Sequence, residues 1–88
     1  HARAGTRFAQ QERFLRQTVV ALLAGTTMAE HSNPGEATLL VIVGRVRLSA
    51  GDDNWEGRPG DLIVIPEAPH SVEALHDSAI LLTVGKTS

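Results

Sequence analysis

Residues that interrupt regular structure recur at short intervals along the chain, and this spacing restricts it to one class of fold. Gly, Pro, Asn and Asp divide the 88 residues into apolar segments of roughly four to ten residues, which is the length of β-strands. Amphipathic helices in globular domains run longer than most of these segments. We therefore predict an all-β sandwich or barrel of about seven or eight strands.

The individual segments carry strand signals. Those predicted to form strands are 14–23, 28–33, 38–43, 45–49, 55–57, 62–65, 71–75 and 79–84. Segment 14–23 is β-branched at its centre, which favours a strand, although a helix around 7–16 is an alternative. Residues 50–54 are predicted to be a hairpin loop. These assignments divide the chain into a short N-terminal arm or helix at 1–13 and one barrel domain at 14–88.

Two kinds of strand differ in their polarity pattern. Segment 45–49 alternates arginine with aliphatic residues, which predicts that Val46 and Leu48 face the core while the arginines face water. Segments 38–43 and 62–65 are apolar at nearly every position, a pattern typical of strands buried on both faces. We expect one of these faces in the barrel interior and the other against a second layer or subunit, and hence a homodimer.

Composition excludes several classes of function. The net charge of −2 gives no basis for expecting phosphate-backbone binding, which needs a basic patch, so we predict no nucleic-acid partner. With no cysteine, the chain has neither disulfides nor thiolate metal ligands. The apolar run 19–24 is far shorter than the roughly 20 residues that span a bilayer, and no leader-like pattern opens the sequence. The predicted location is cytoplasmic, without a membrane partner.

Glycines and candidate metal ligands form a first pattern between Gly25 and Gly44. Five residues separate Gly25 from His31, and Asn33 and Ala37 follow before Gly44. Because residues two apart on a strand share a face, His31 and Asn33 are predicted to project into the same interior. The alternative readings are a hydrogen-bonded core histidine for His31 and, because Pro follows it, a turn residue for Asn33.

A second pattern runs from Gly60 to His70. The apolar strand 62–65 ends at Pro66, which cannot donate to a β-ladder. Ala68 and His70 follow, and His70 directly precedes the strand predicted over 71–75. If that strand pairs with the one carrying His31, both imidazoles reach the same interior.

Together these patterns resemble the two motifs of the cupin family. The first family motif is Gly, five residues, His-x-His, three or four residues, Glu, six residues and Gly; the second is Gly, five residues, Pro-x-Gly, two residues and His. This chain retains His31, His70 and Pro66 but has Asn33 at the second histidine and Ala37 at the glutamate. His70 also follows Pro66 one position earlier than in the family.

The resemblance covers residues 14–86 and implies a fold and a site. The implied fold is a double-stranded β-helix, or jelly-roll barrel, that often forms dimers. In the family, three histidines and a glutamate hold a divalent iron, manganese, nickel or zinc ion. Here His31 and His70 remain, with Asn33 as a weak third ligand, so the metal site is degenerate.

The preferred functional hypothesis is a barrel that binds a small ligand, or weakly a divalent metal, without established catalysis. Its mostly aliphatic walls favour a small apolar ligand. The alternative is a mononuclear metal enzyme, of dioxygenase or isomerase type, using His31, His70 and a Glu36 brought inward by a register shift at Pro34-Gly35. A third hypothesis is a dimerisation module whose interior is filled by Leu39, Val41, Val46 and Leu48.

Overall fold

The computed structural model describes residues 13–31 and 36–87. Eight β-strands account for most of these ranges: β1 Arg13–Leu22, β2 Thr27–His31, β3 Glu36–Val43, β4 Val46–Ala50, β5 Asp53–Gly57, β6 Leu62–Ile65, β7 His70–Ala74 and β8 Ser78–Thr87. The alternative helix over 7–16 is wrong for 13–16, where β1 has already begun, and the predicted N-terminal arm lies almost entirely outside the described residues. No helix in the described ranges has the length and apolarity to cross a membrane.

The strands form two four-stranded antiparallel sheets. Sheet A has the order β1-β8-β3-β6 and sheet B the order β2-β7-β4-β5. The chain passes from one sheet to the other at most connections. Among the described strands, β4 and β5 are the only two that are consecutive in the chain and also neighbours in a sheet. This arrangement confirms the predicted jelly roll, in which two sheets pack their inner faces together.

Aliphatic side chains on the two inner faces make the core. The buried cluster consists of Ala37, Leu39, Val41, Val46, Leu48, Ile65, Val72 and Ile80. Val46 and Leu48 are fully buried, as the alternation of segment 45–49 predicted. Gly57 lets the sheets approach near their β5 and β6 edges, because a Cβ there would lie 2.8 Å from Val41 Cγ2 and 3.2 Å from Ile63 Cδ1.

Three connections meet at one end of the sandwich. The amide of Gly25 donates to the carbonyl of Ala74 at 2.8 Å, so the β1–β2 turn is joined to the end of β7. The amide of Arg45, after β3, donates to Ser78 Oγ at the start of β8 at 3.0 Å. His70, the first residue of β7, lies at the opposite end of its strand.

The β4–β5 hairpin is tighter than the sequence predicted. Asp53 pairs with Ala50 and Asn54 pairs with Ser49, leaving only Gly51 and Asp52 in the turn. The predicted loop over 50–54 is therefore wrong. Gly51 has φ of +60°, and this left-handed conformation permits a two-residue turn between antiparallel strands.

The outer face of sheet B is charged and internally neutralised. Arg45 Nη2 lies 2.6 Å from Glu56 Oε1, and Arg47 Nη2 lies 3.2 Å from Glu56 Oε2. Arg47 Nη1 also lies 3.6 Å from Glu73 Oε1 on β7. The hydrogen bonds from Arg47 and Arg45 hold the pKa of Glu56 below its ordinary value. This face is the solvated surface that the alternation of 45–49 predicted.

Glu56→Gln is expected to lower the thermal midpoint slightly at neutral pH, because one carboxylate shared by two guanidinium groups is lost. Since the pKa of Glu56 is lowered by folding, its stabilising contribution is complete above the ordinary glutamate pKa and is lost as pH falls through the lowered value. Calorimetry at neutral and acidic pH should show the deficit disappearing in acid. Asp52→Asn, in the turn of the same hairpin, is the control, and an equal deficit with the same pH profile there would contradict the assignment.

The outer face of sheet A is apolar and exposed in the single chain. Strands β3 and β6 were predicted to turn one face to the barrel interior and the other to a second layer or subunit. The inward side chains face the core as predicted, whereas on the outer side Leu62 is 62% and Val64 73% exposed, and Ile42 on β3 is also exposed. A covering subunit stays a prediction.

Candidate functional site

The site is centred on His70, whose side chain is 1% exposed. Its Nδ1 lies 3.0 Å from the backbone carbonyl oxygen of Ala68. A carbonyl only accepts, so Nδ1 carries the proton and donates, and in the neutral ring Nε2 then carries the lone pair. This arrangement is the usual one for a metal-binding histidine, whose second nitrogen is oriented by a carbonyl or carboxylate.

The carbonyl of Ala68 is the part of the site that sequence reasoning missed. Every residue has a backbone carbonyl, so the residue type gives no signal for this acceptor. The signal that existed was the short spacing between Pro66 and His70, which keeps the 66–69 connection close to the imidazole. The connection therefore both delivers His70 to β7 and orients its ring.

The backbone of His31 lies directly opposite His70. The two are Cα partners in the antiparallel pairing of β2 with β7, after an irregularity in register between Met28 and His31. Residues directly opposite in such a pair are nearest neighbours across the strands, with Cα atoms about 4.5 to 5.5 Å apart. The fold thus brings the positions of both retained histidines together.

The other three positions considered as metal ligands do not add a described ligand to the two histidine positions. Asn33 lies outside the described residues. Ala37 is 3% exposed on the inner face of β3, where its partners are Ile65 and Val84. Glu36 is exposed, and because neighbouring residues on a strand point to opposite faces, it lies on the side away from the interior. This placement counts against Glu36 as a ligand and leaves an aliphatic residue at the carboxylate position.

A small cavity adjoins His70. Its volume is about 20 Å³, and its other lining residues are Met28, Ala37, Ile65, Val72, Leu82 and Val84. A cavity of roughly 10 to 15 Å³ on this measure is enough for one water molecule. The space between the described side chains is therefore large enough for one water-sized species.

The ligand chemistry of the site is sparse. Among the side chains that the structure describes, no three from His, Asp and Glu lie close enough together to hold a metal ion. An imidazole nitrogen such as His70 Nε2 is a ligand type that suits divalent transition metals, whereas Ala37 supplies no negative charge to offset the ion. The residues present are therefore suited to a weak metal site with imidazole ligands and not to the family's site of three histidines and a glutamate.

Family comparison agrees with this geometry. The model of the cupin domain family matches residues 18–85, which run from within β1 to within β8. The chain belongs to the cupin family. No functionally curated protein is significantly similar to it.

Solved structures of similar proteins share the cupin barrel. A conserved protein of unknown function from Streptococcus pyogenes is 26% identical with a TM-score of 0.78, covering 90% of this chain and 78% of its own. An RmlC-like cupin from Desulfovibrio desulfuricans is 27% identical with a TM-score of 0.71, and the match covers 80% and 70% of the two chains. In both comparisons the shared barrel accounts for most of this chain.

A third similar structure is that of an enzyme. Salicylate 1,2-dioxygenase from Pseudoaminobacter salicylatoxidans is 24% identical with a TM-score of 0.74 over 80% of this chain. The match covers only 19% of the dioxygenase. At this identity the similarity shows a shared fold alone, and the fold is compatible with many functions.

Proposed function

We propose that this cupin domain binds one divalent metal ion weakly through His31 and His70 and serves as a binding or sensor domain without catalysis. The observation that carries the proposal is His70 itself, which is buried, oriented through Nδ1 by the Ala68 carbonyl, and paired across the strands with His31. A buried imidazole with this tautomer has Nε2 as its metal-binding atom.

The proposed ligand set explains why binding is weak. His31 and His70 would hold the ion as neutral ligands, with the amide oxygen of Asn33 as a third. No carboxylate offsets the divalent charge, because Ala37 occupies that position and Glu36 is exposed on the other face. When bound, such an ion would supply Lewis acidity to a ligand that reaches it.

The small cavity favours an ion over an organic ligand. A space of about 20 Å³ beside His70 suits one water molecule or one ion. The nearly complete burial of Leu39, Val41, Val46 and Leu48 fills the remainder of the described interior with side chains. The small apolar ligand predicted from the composition would therefore have to bind at the barrel mouth or displace core residues.

Metal titration of untagged, chelator-treated protein tests the proposal. Calorimetry with Zn²⁺, Ni²⁺, Mn²⁺ or Fe²⁺ is expected to show one ion per chain with micromolar to submillimolar affinity. His70→Ala is expected to weaken binding at least about tenfold, because it removes one of two imidazole ligands. His31→Ala should have an effect of the same size.

Two variants serve as controls. His76→Ala removes an exposed histidine in the β7–β8 connection and should leave the affinity unchanged. Glu36→Gln should also be neutral, whereas a large loss of affinity in this variant would favour the alternative two-histidine, one-carboxylate enzyme. Absence of binding by the wild-type chain, or equal losses in the His70 and His76 variants, would refute the proposed site.

A further inference from the structure

A groove runs between the free edges of the two sheets. β5 is the last strand of sheet B and β6 the last strand of sheet A, and neither has a further neighbour among the described strands. This edge groove has a volume of about 430 Å³, and its lining includes Trp55, Asp61, Leu62 and Val64. It is separate from the cavity beside His70.

The backbone of β6 has free hydrogen-bonding groups along the edge groove. Val41 of β3 donates its amide to the carbonyl of Asp61 at 3.0 Å, so this pair is bonded across the ladder. Antiparallel partners alternate between bonded and non-bonded pairs. With the register of these strands, Ile63 bonds to β3 whereas Leu62 and Val64 do not. The amides and carbonyls of Leu62 and Val64 therefore point to the free edge, which is a template for another strand.

Trp55 forms an apolar wall beside this edge. It is the partner of Leu48, which is fully buried in the core. Directly opposed residues lie on the same side of a sheet, so the indole lies on the side of sheet B that faces sheet A. Because β5 is an edge strand, Trp55 nevertheless remains 42% exposed. A side chain that enters the groove from a strand added to β6 would cover the indole.

The edge groove has uncompensated negative charge. Residues 52–67 include five acidic residues and one basic residue, Arg58. Glu56 is already paired with two arginines on the outer face of sheet B. The carboxylate of Asp61 accepts the amide of Arg58 at 2.9 Å, and no cation of the described residues pairs with it. A cationic group would complement Asp61, and the face of an indole also attracts cations.

We propose that an extended segment of a partner protein adds to β6 as a fifth strand of sheet A, with a lysine or arginine between apolar residues directed to Trp55 and Asp61. Main-chain hydrogen bonds provide the affinity of such strand addition, and alternate side chains provide its specificity. The added strand alternates its side chains as β6 does. Residues opposite Leu62 and Val64 would therefore face outward, and the residues between them would face Trp55.

The chain itself is a poorer occupant than a separate partner. A second copy of β6 would bring another Asp61 and Glu67 to the same edge, and like charges would repel. Residues 1–12 contain three alanines and a glycine but no Val, Ile, Trp or Tyr, so they are weak strand formers. They also precede β1, which lies at the opposite edge of sheet A from β6.

Fluorescence titration of the full chain with the peptide acetyl-Val-Lys-Val-Lys-Val-amide tests the proposal. Trp55 is the only tryptophan, so a saturable change in its emission reports binding at the groove. The peptide with Glu in place of Lys should bind at least about tenfold more weakly, because it brings carboxylates to Asp61. The lysine peptide with N-methylated valines should also bind at least about tenfold more weakly, because it lacks the donors for β6. Equal binding of the methylated peptide would overturn strand addition.

Hydrogen exchange locates the added strand on the backbone. The amides of Leu62 and Val64 should exchange rapidly in the free chain and at least about tenfold more slowly at saturating peptide. Slow exchange of both amides in the free chain would show that the chain or a second copy already covers this edge. That result would overturn the proposal.

Two variants test the groove side chains, with the affinity measured by anisotropy of a labelled lysine peptide. Trp55→Ala should weaken binding at least about tenfold. Asp61→Asn keeps an acceptor for the amide of Arg58 and should weaken binding about two- to fivefold through loss of charge. Circular dichroism should show that both variants keep their β-sheet structure.

Asp77→Asn is the matched control for Asp61→Asn. Asp77 is also exposed, and it likewise accepts a backbone amide, that of Ala24 at 2.8 Å, but it does not line the edge groove. Its substitution should leave the peptide affinity unchanged. Equal losses in the Asp61 and Asp77 variants, full binding by the Trp55 variant, or no binding of the lysine peptide by the wild type would overturn the proposal.

Discussion

Gly44→Ala is expected to lower the free energy of unfolding by about 3 kcal/mol or more, through backbone strain and overpacking together. Gly44 has φ of +89°, where a side chain is unfavourable. A Cβ there would also overlap Ser78 Oγ and the Asp77 carbonyl oxygen, and it would lie 2.6 Å from Ser78 Cα. Because two of these atoms are backbone, the β7–β8 connection would have to move as a whole.

The same substitution would disturb a set of hydrogen bonds. Ser78 Oγ accepts from the amide of Arg45 at 3.0 Å and donates to the carbonyl of His76 at 2.7 Å. The carbonyl of Arg45 accepts from the amide of Leu75 at 2.8 Å. These bonds join the β3–β4 connection to the β7–β8 connection, so displacing Ser78 weakens the closure of this end of the barrel.

Gly25→Ala is the matched control for Gly44→Ala. Gly25 has nearly the same φ, +88°, but a Cβ there would meet nothing within 4 Å. Its expected loss is only the backbone strain of about 1 to 2 kcal/mol. Chemical denaturation of both variants gives the two values, and equal losses would show that crowding at Ser78 does not contribute.

Ala37→Glu is expected to restore an anionic ligand and to convert the domain into a tighter metal binder. Ala37 is buried, lines the cavity beside His70, and stands at the glutamate of the family motif. A carboxylate there should raise divalent metal affinity on the order of 100-fold, because it contributes a full opposite charge next to the ion. Calorimetric titration of wild type and variant with the same ion measures this ratio.

Without metal, the free energy of unfolding of the Ala37→Glu variant should be lower than that of the wild type by about 3 kcal/mol or more, because a buried carboxylate without a partner is strongly unfavourable. Free metal at about 100 times the dissociation constant should restore roughly 2.7 kcal/mol by mass action. Ala37→Gln has the same size without the charge, so it should lose stability without gaining affinity. Equal metal affinity in the two variants would contradict the role assigned to position 37.

The local sequence pattern correctly predicted which side chains of β4 are buried and where β6 ends. Period-two alternation placed Val46 and Leu48 inside and Arg45 and Arg47 outside, because side chains on a strand alternate between its faces whatever the partner strand is. Pro66 ended its strand as expected, since it cannot donate to the ladder. Such features depend on one segment at a time, and the structure confirms them.

Other features depend on pairing between distant segments. The crowding at Gly44 comes from Asp77 and Ser78, more than thirty residues away in the chain. Likewise, Val19, Leu81, Leu40 and Leu62 form one row across sheet A only because they arrive in register on four different strands. The sequence showed that 38–43 and 62–65 were apolar on both faces, but it did not show which face would lack a covering layer.

Some features of the candidate site could likewise be predicted from the sequence, whereas others depend on the tertiary structure. The sequence by itself determined the all-β class, the family motifs and the replacement of a carboxylate by Ala37, because each can be read from residue types and spacing. Only the tertiary structure decided that His31 pairs with His70, that the Ala68 carbonyl orients the imidazole, and that a cavity of about 20 Å³ adjoins it. The physical reason is that register, ring orientation and cavity volume arise from how side chains and backbone from separate strands pack, and a single segment does not encode them.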